Sequence, residues 1–272
     1  MKTWLTIWLA LALYCTAAEP AYVDDRALLA SISRQVQQLN DAKKLTPFKL
    51  LREQLGRTEC KVHLPAPPQK TLAAPELYRR AQDSVLIHCH LFLCGKCSKL
   101  HVNASSCFPL TADGVCVANY HSFTNSNTVA MAVATRDGRV FPITEVLAVS
   151  RRDDTVIFRA AIEKLAPLAL ANAEVGEPVA VLSHPSGRFY VFTQGAVARY
   201  CLDGGAPRMH VTADYAVGSS GGPVLNAAGA VVGMVASTQD VYAKQEQGQH
   251  DNLQMVVKLC VPASSIKKLI KE

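Results

Sequence analysis

The sequence predicts an all-β fold, a sandwich or barrel with length enough for two small barrels sharing one interface, preceded by a short α-helical N-terminal extension. Two observations carry that expectation. After Ala81 the chain becomes a series of short β-rich runs, Val85 to Leu93, Val129 to Ala134, Val179 to Leu182, Phe189 to Val197 and Val231 to Ala236, punctuated by the turn pairs Asp113-Gly114, Asp137-Gly138 and Gly204-Gly205. Few helical windows lie between these runs, which favours a sandwich or barrel over a parallel sheet with crossover helices. Residues 81–272 suffice for two barrels, and Ser264 to Lys271 is expected to close that domain as a short helix.

Composition bounds the rest. A chain of 272 residues, 49% apolar and 18% charged, supports a sizeable core and excludes a disordered or collagen-like protein. Twenty-eight Lys and Arg against 22 Asp and Glu give a modest +6, and the basic residues are scattered and form no run beside aromatics. No nucleic-acid partner is therefore expected. Lys2 precedes the apolar run Trp4 to Tyr14, which is shorter than the roughly 20 helical residues a bilayer requires but suits the core of a secretory signal. Thr16-Ala17-Ala18 offers small residues for cleavage, and Tyr14 is too bulky to precede a lipidated Cys15. Residues 1–18 are thus expected to be a signal peptide, leaving an exported chain, periplasmic or extracellular, with no stable membrane span.

Residues 19–62 are expected to be helical. From Asp24 to Asn40 the residues Leu28, Ile32, Val36 and Leu39 share one face, and Asp24 and Asp25 are placed to cap the start. That face needs a cover, either the protein's own domain or a sister chain in a homo-oligomer. A second short helix is expected from Pro47 to Leu55, ending at Gly56. Four prolines between His63 and Pro75 interrupt regular structure, so residues 63–80 read as a Pro-rich linker.

The candidate chemistry lies near the C-terminal end, in Gly218-Ser219-Ser220-Gly221-Gly222-Pro223. Glycines on both sides let the backbone turn sharply, so that amides converge on a developing oxyanion beside a nucleophilic Ser220. Here the chain resembles the trypsin-like serine peptidases, and within them the bacterial high-temperature-requirement, or Deg-type, branch. Leu110 to Phe123, with Asn119-Tyr120-His121, resembles the strand and turn that carry the family's catalytic histidine. Arg152-Asp153-Asp154-Thr155-Val156-Ile157 resembles its acid followed by an apolar strand, and Ser183-His184-Pro185-Ser186-Gly187 with Thr193-Gln194-Gly195 resembles the segment between acid and nucleophile.

The resemblance spans roughly residues 81–262 and implies a trypsin-like double barrel with His121 as general base, Asp154 as its orienting acid and Ser220 as nucleophile. Asp154 is preferred to Asp153 because the family's acid directly precedes the strand. The amides of Gly218 and Ser220 are the implied oxyanion donors. The chain departs from the family at Ala118, Tyr120 and Ser105-Ser106-Cys107, none of which removes a member of the triad. His184, where the family has a neutral residue, is expected to be structural.

Asp214, six residues before Ser220, stands where trypsin-like members place the acid of a pocket for Arg or Lys. Deg-type members instead prefer small apolar residues. No cofactor is required for such catalysis. His90, Cys94, Cys97 and His101 nevertheless form a candidate zinc set, with disulfides among the eight cysteines after residue 18 as the rival use of the thiols.

The resulting expectation is an exported serine endopeptidase acting on polypeptides. A catalytically silent scaffold that uses the barrel for protein binding is the alternative. A redox role for Cys94 and Cys97 finds no strand-helix alternation around it. Only a few residues follow Ile266, so no C-terminal PDZ domain is expected.

Overall fold

The computed structural model describes residues 22–246 and 249–271; the expected signal peptide, residues 1–18, lies outside them. Helix α1 (Asp25–Asp41) starts where Asp24 Oδ1 accepts from the amide of Ala27 at 2.9 Å, the capping role its sequence suggests. Its apolar face is covered by the protein itself. Ile32 and Val36 are fully buried, and α1 packs against the strands of the first barrel, with Gln35 Nε2 donating to Gly138 O at 2.7 Å. Helix α2 (Phe48–Glu53) buries Phe48 and Leu51, and strand β1 (Cys60–Lys61) follows.

Residues 63–80 are not wholly a linker, because α3 (Ala74–Ala81) begins inside them. Pro75 sits in the first turn of that helix, where its missing amide has no intrahelical acceptor to lose. Leu77 and Ala81 are buried, and Tyr78 meets Phe192 edge to face at 5.8 Å.

The first barrel comprises β2 (Leu86–Leu93), β3 (Leu100–Pro109), β4 (Val115–Ala118), β5 (Thr128–Ala134), β6 (Val140–Ser150) and β7 (Thr155–Ala160), closed in the order β2-β3-β4-β7-β6-β5. The second comprises β8 (Pro178–Ser183), β9 (Val191–Asp203), β10 (Ala206–Val211), β11 (Pro223–Asn226), β12 (Val231–Glu246) and β13 (Gln249–Pro262), closed as β10-β13-β12-β11-β8-β9. Helix α4 (Ala263–Lys267) ends the domain, and β14 (Ile270–Lys271) pairs in parallel with β1. The expected all-β double barrel with a helical extension is the fold observed. Gly114 has φ +90°, and a Cβ there would lie 2.3 Å from Ala160 O, so the turn into β4 admits only glycine.

Each barrel wall alternates inward and outward residues, and closure leaves no free sheet edge. Phe108, Phe123 and Phe158 fill the first barrel region, whereas Val181, Met209 and Val224 fill the second. The eight cysteines from Cys60 to Cys260 are free thiols, so the expected disulfides are absent among the described residues. Cys89, Cys107, Cys116 and Cys260 are buried in the barrels and serve as core side chains; burial pushes the thiols of Cys89 and Cys260 up to about 12.

Candidate active site

Local structure brings His121 and Asp154 together. After β4 the chain forms a 3-10 turn, Tyr120–Phe123, held at its end by Thr124 Oγ1 donating to His121 O at 2.8 Å. Asp154 sits at the turn between β6 and β7 with φ +56°, a conformation that aspartate tolerates better than bulkier residues. Its Oδ2 lies 2.9 Å from His121 Nδ1, and its Oδ1 accepts from the backbone amide of His121 at 2.9 Å. One carboxylate thus fixes both the ring and the main chain of the histidine. Asn119 Nδ2 donates to Asp154 O at 3.2 Å, tying the two turns together a second time. The neighbouring Asp153 is 7% exposed, its amide bonds Ser150 Oγ, and it makes no contact with His121.

Ser220 belongs to the second barrel, in the loop before β11. Glycines shape that loop. Gly218 (φ +94°) would bring a Cβ within 2.7 Å of His184 O, and Gly221 (φ +84°) would bring one within 2.0 Å of Ser106 O. The amides of Gly221 and Gly222 are spent on Val235 O and Ser219 O, whereas those of Gly218 and Ser220 bond no protein acceptor among the described residues. The Ser220 hydroxyl donates to Ala236 O at 3.1 Å. No hydrogen bond joins it to His121 among the described residues, so the two barrels present a bonded His121–Asp154 pair and a serine turned toward β12.

The first barrel also holds the serine loop, through residues the sequence flagged only as departures. Ser106 N donates to Ser220 O at 2.9 Å, Ser106 Oγ reaches Gly218 O at 3.4 Å, and His184 N donates to Ser106 Oγ at 3.2 Å. A serine on β3 therefore pins both ends of the segment from 218 to 220. Nearby, Ser105 Oγ lies 3.4 Å from His88 Nδ1 and 3.3 Å from His90 Nε2. His88 is fully buried against Phe123 and Phe158 with Nε2 unpartnered, and burial followed by the neighbouring His90 charge drives its pKa well below the ordinary imidazole range. His90, whose pKa burial and then His121 lower to about 4, is the one expected zinc ligand that lies apart from the others.

Strand register explains that separation. His90 is opposite Asn103 and His101 opposite Phe92, so the two histidines stand one same-face rung, about 7 Å, apart. Cys94, Cys97 and His101 do converge at the hairpin tip, with all ligand atoms within 4.8 Å of one another. His184 is structural as expected. Its Nδ1 accepts from Tyr190 N at 3.1 Å and its Nε2 lies 3.3 Å from Leu86 O, which requires a neutral ring protonated at Nε2; burial lowers its pKa to about 3.

Beside Ser220 a hollow of about 240 Å³ is lined by Tyr215, Ala216, Val217, Val235, Ala236, Ser237 and Thr238. Asp214 is not part of it. Residues 211, 213 and 215 point inward in strict alternation, which turns Asp214 out: its side chain is 87% exposed and pairs with Lys258 Nζ at 3.5 Å. The expected carboxylate at the pocket base is therefore corrected to a surface ion pair. A larger hollow of about 650 Å³ lies among Leu28, Arg136, Phe141 and Tyr190 but contains none of His121, Asp154 or Ser220. Volume alone does not locate this site.

The paired barrels, the His-Asp contact and the glycine-shaped serine loop define the class, a domain of trypsin-like double-barrel fold. Residues 105–234 match the family described as "Trypsin-like peptidase domain". Among solved structures the chain is similar to one described as "HtrA-type protease AlgW with decapeptide", at 16% identity and a TM-score of 0.55. That similarity covers 72% of this chain and 66% of the other, just under two thirds of its length, and at this identity it concerns the fold. No curated protein matches the sequence.

Proposed function

We propose that the protein is an exported serine endopeptidase that cleaves polypeptides through an acyl-enzyme, with His121, Asp154 and Ser220 as the triad. The observation that carries this reading is the pair of hydrogen bonds that Asp154 makes to His121, at Nδ1 and at the backbone amide. It leaves Nε2 as the free nitrogen and gives it the tautomer a general base needs. The relay requires the Ser220 hydroxyl to leave Ala236 O and turn toward Nε2. Its proton passes to His121 as Oγ attacks the scissile carbonyl, and the same proton is then delivered to the leaving amine. Water repeats the sequence to release the acyl group. The amides of Gly218 and Ser220, uncommitted among the described residues, receive the oxyanion, each contributing on the order of 3 kcal/mol to transition-state stabilisation.

The hollow beside Ser220, walled by Ala216, Val217, Val235 and Ala236, supports a preference for small or medium apolar side chains before the scissile bond, in keeping with a Deg-type peptidase. The decapeptide that accompanies AlgW in its structure is in keeping with a polypeptide substrate. Export rests on residues 1–18, and no cofactor enters the acyl transfer. Among the described residues no helix is long and apolar enough to cross a membrane.

The silent-scaffold alternative draws on one observation, the Ser220 hydroxyl bonded to Ala236 O. Titration with an apolar peptidyl phosphonate separates the two readings. Stoichiometric labelling of the wild type, abolished in Ser220→Ala, is expected; an unlabelled, folded wild type leaves the scaffold.

A further inference from the structure

The tip of the β2–β3 hairpin gathers donor atoms that peptide hydrolysis does not use. Cys94 Sγ and Cys97 Sγ stand 3.5 Å apart, and His101 Nε2 is 3.0 Å from Cys97 Sγ. We propose that Cys94, Cys97 and His101 bind one zinc ion at this tip, with water as the fourth ligand.

Distances support a metal more than a cross-link. Two thiolates on a tetrahedral zinc, at about 2.3 Å each, lie about 3.8 Å apart, and a thiolate and an imidazole lie about 3.6 Å apart. The Cys94–Cys97 and Cys97–His101 pairs are already within about 0.6 Å of those separations, and all three ligand atoms lie within 4.8 Å of one another. A disulfide would require the sulfurs to close to about 2.05 Å and would leave His101 with no part to play. Gly95 has φ +71°, and the tight turn it permits brings Cys97 back beside Cys94. The hairpin fixes the third ligand independently, because the register opposes His101 to Phe92 and the two rings contact at 5.9 Å. The donor set of two thiolates and one imidazole is soft and favours zinc over calcium or magnesium.

Binding is a proton exchange. Both thiol protons leave to solvent, His101 coordinates through Nε2 with its proton on Nδ1, and the divalent ion is neutralised by two thiolates. The site is separate from the acyl-transfer machinery. It staples the outer end of β2 and β3, the strands that carry His88, His90, Ser105 and Ser106 at their inner ends.

Metal analysis of the full chain, untagged, reduced and equilibrated with zinc before gel filtration, tests this. About one zinc per chain is expected, lost in Cys97→Ser and retained in Cys201→Ser, whose Sγ lies 3.2 Å from His210 Nε2 and provides the nearest rival pair. Cobalt(II) in place of zinc should give the thiolate charge-transfer and visible bands of tetrahedral coordination. Should Cys97→Ser fail to fold, alkylation of the wild type with and without zinc keeps the test open: zinc should protect Cys94 and Cys97 and leave Cys201 unaffected. A wild type that retains no zinc, or zinc that protects Cys201 but not Cys94 and Cys97, would overturn the proposal.

Discussion

Lowering the pH from 7 to 5 should weaken the fold through His184, before the carboxylates titrate. The ring is fully buried, accepts from Tyr190 N, and has its other nitrogen beside Leu86 O, so a second proton has no acceptor. The unfolded chain protonates this side chain near 6.5, whereas the folded chain resists until about 3. Because the unfolded state binds the proton first, stability is complete above 6.5 and is lost as pH falls toward 3. Linkage with these two values gives a loss of about 2 kcal/mol between pH 7 and pH 5 from this residue alone. Buried His88 and half-buried His90 act in the same direction. Urea titrations at both pH values, on wild type and His184→Gln, measure the contribution. The variant starts less stable but should lose about 2 kcal/mol less than wild type on acidification. Equal losses in the two proteins would refute a neutral-only His184.

Three further outcomes are expected. Asp214→Ala should leave the preference for the residue before the scissile bond unchanged in a peptide-library profile, because the carboxylate faces solvent and Lys258. Gly221→Ala should cost more than about 2 kcal/mol in denaturant unfolding and remove phosphonate labelling, since its Cβ would collide with the backbone oxygen of Ser106 and carry φ +84°. Ile32→Ala should lower stability by about 2–5 kcal/mol in one cooperative transition with the barrels; a separate, earlier transition would show that α1 folds independently.

The sequence was most legible where pattern and packing coincide. Asp24 and the 3.6-residue spacing of Leu28, Ile32 and Val36 place α1 within a residue of its observed bounds, and the apolar runs place β2, β5, β8 and much of β9. Strand ends were less so. Val231 to Ala236 marks only the start of β12, because the exposed stretch from Ser237 to Val241 pairs with β13 without an apolar signature. Pro75 reads as a breaker in isolation yet serves as a first-turn residue of α3, a distinction set by packing of Leu77. At the site, the pairing of His121 with Asp154 over Asp153 came from the family resemblance, in which the acid directly precedes the strand. The outward turn of Asp214 depends on the inward anchoring of Ala213 and Tyr215, and the isolation of His90 on hairpin register; neither is set by spacing along the chain. Ser106 was visible only as a departure from the family, since its role exists only once the second barrel delivers Ser220 and His184 to it.

The N-terminal extension touches both halves of the molecule. Helix α1 lies on the first barrel while its Asp25 Oδ1 receives the amide of Phe189, Leu72 N reaches Ala227 O in the second, and Cys60 N bonds Leu269 O near the chain's end. Such a strap opposes any rocking of one barrel against the other, because widening the groove between them would strip contacts at several anchor points together. Severing the strap, rather than altering the groove, is the route by which this scaffold would gain breadth at the expense of rigidity.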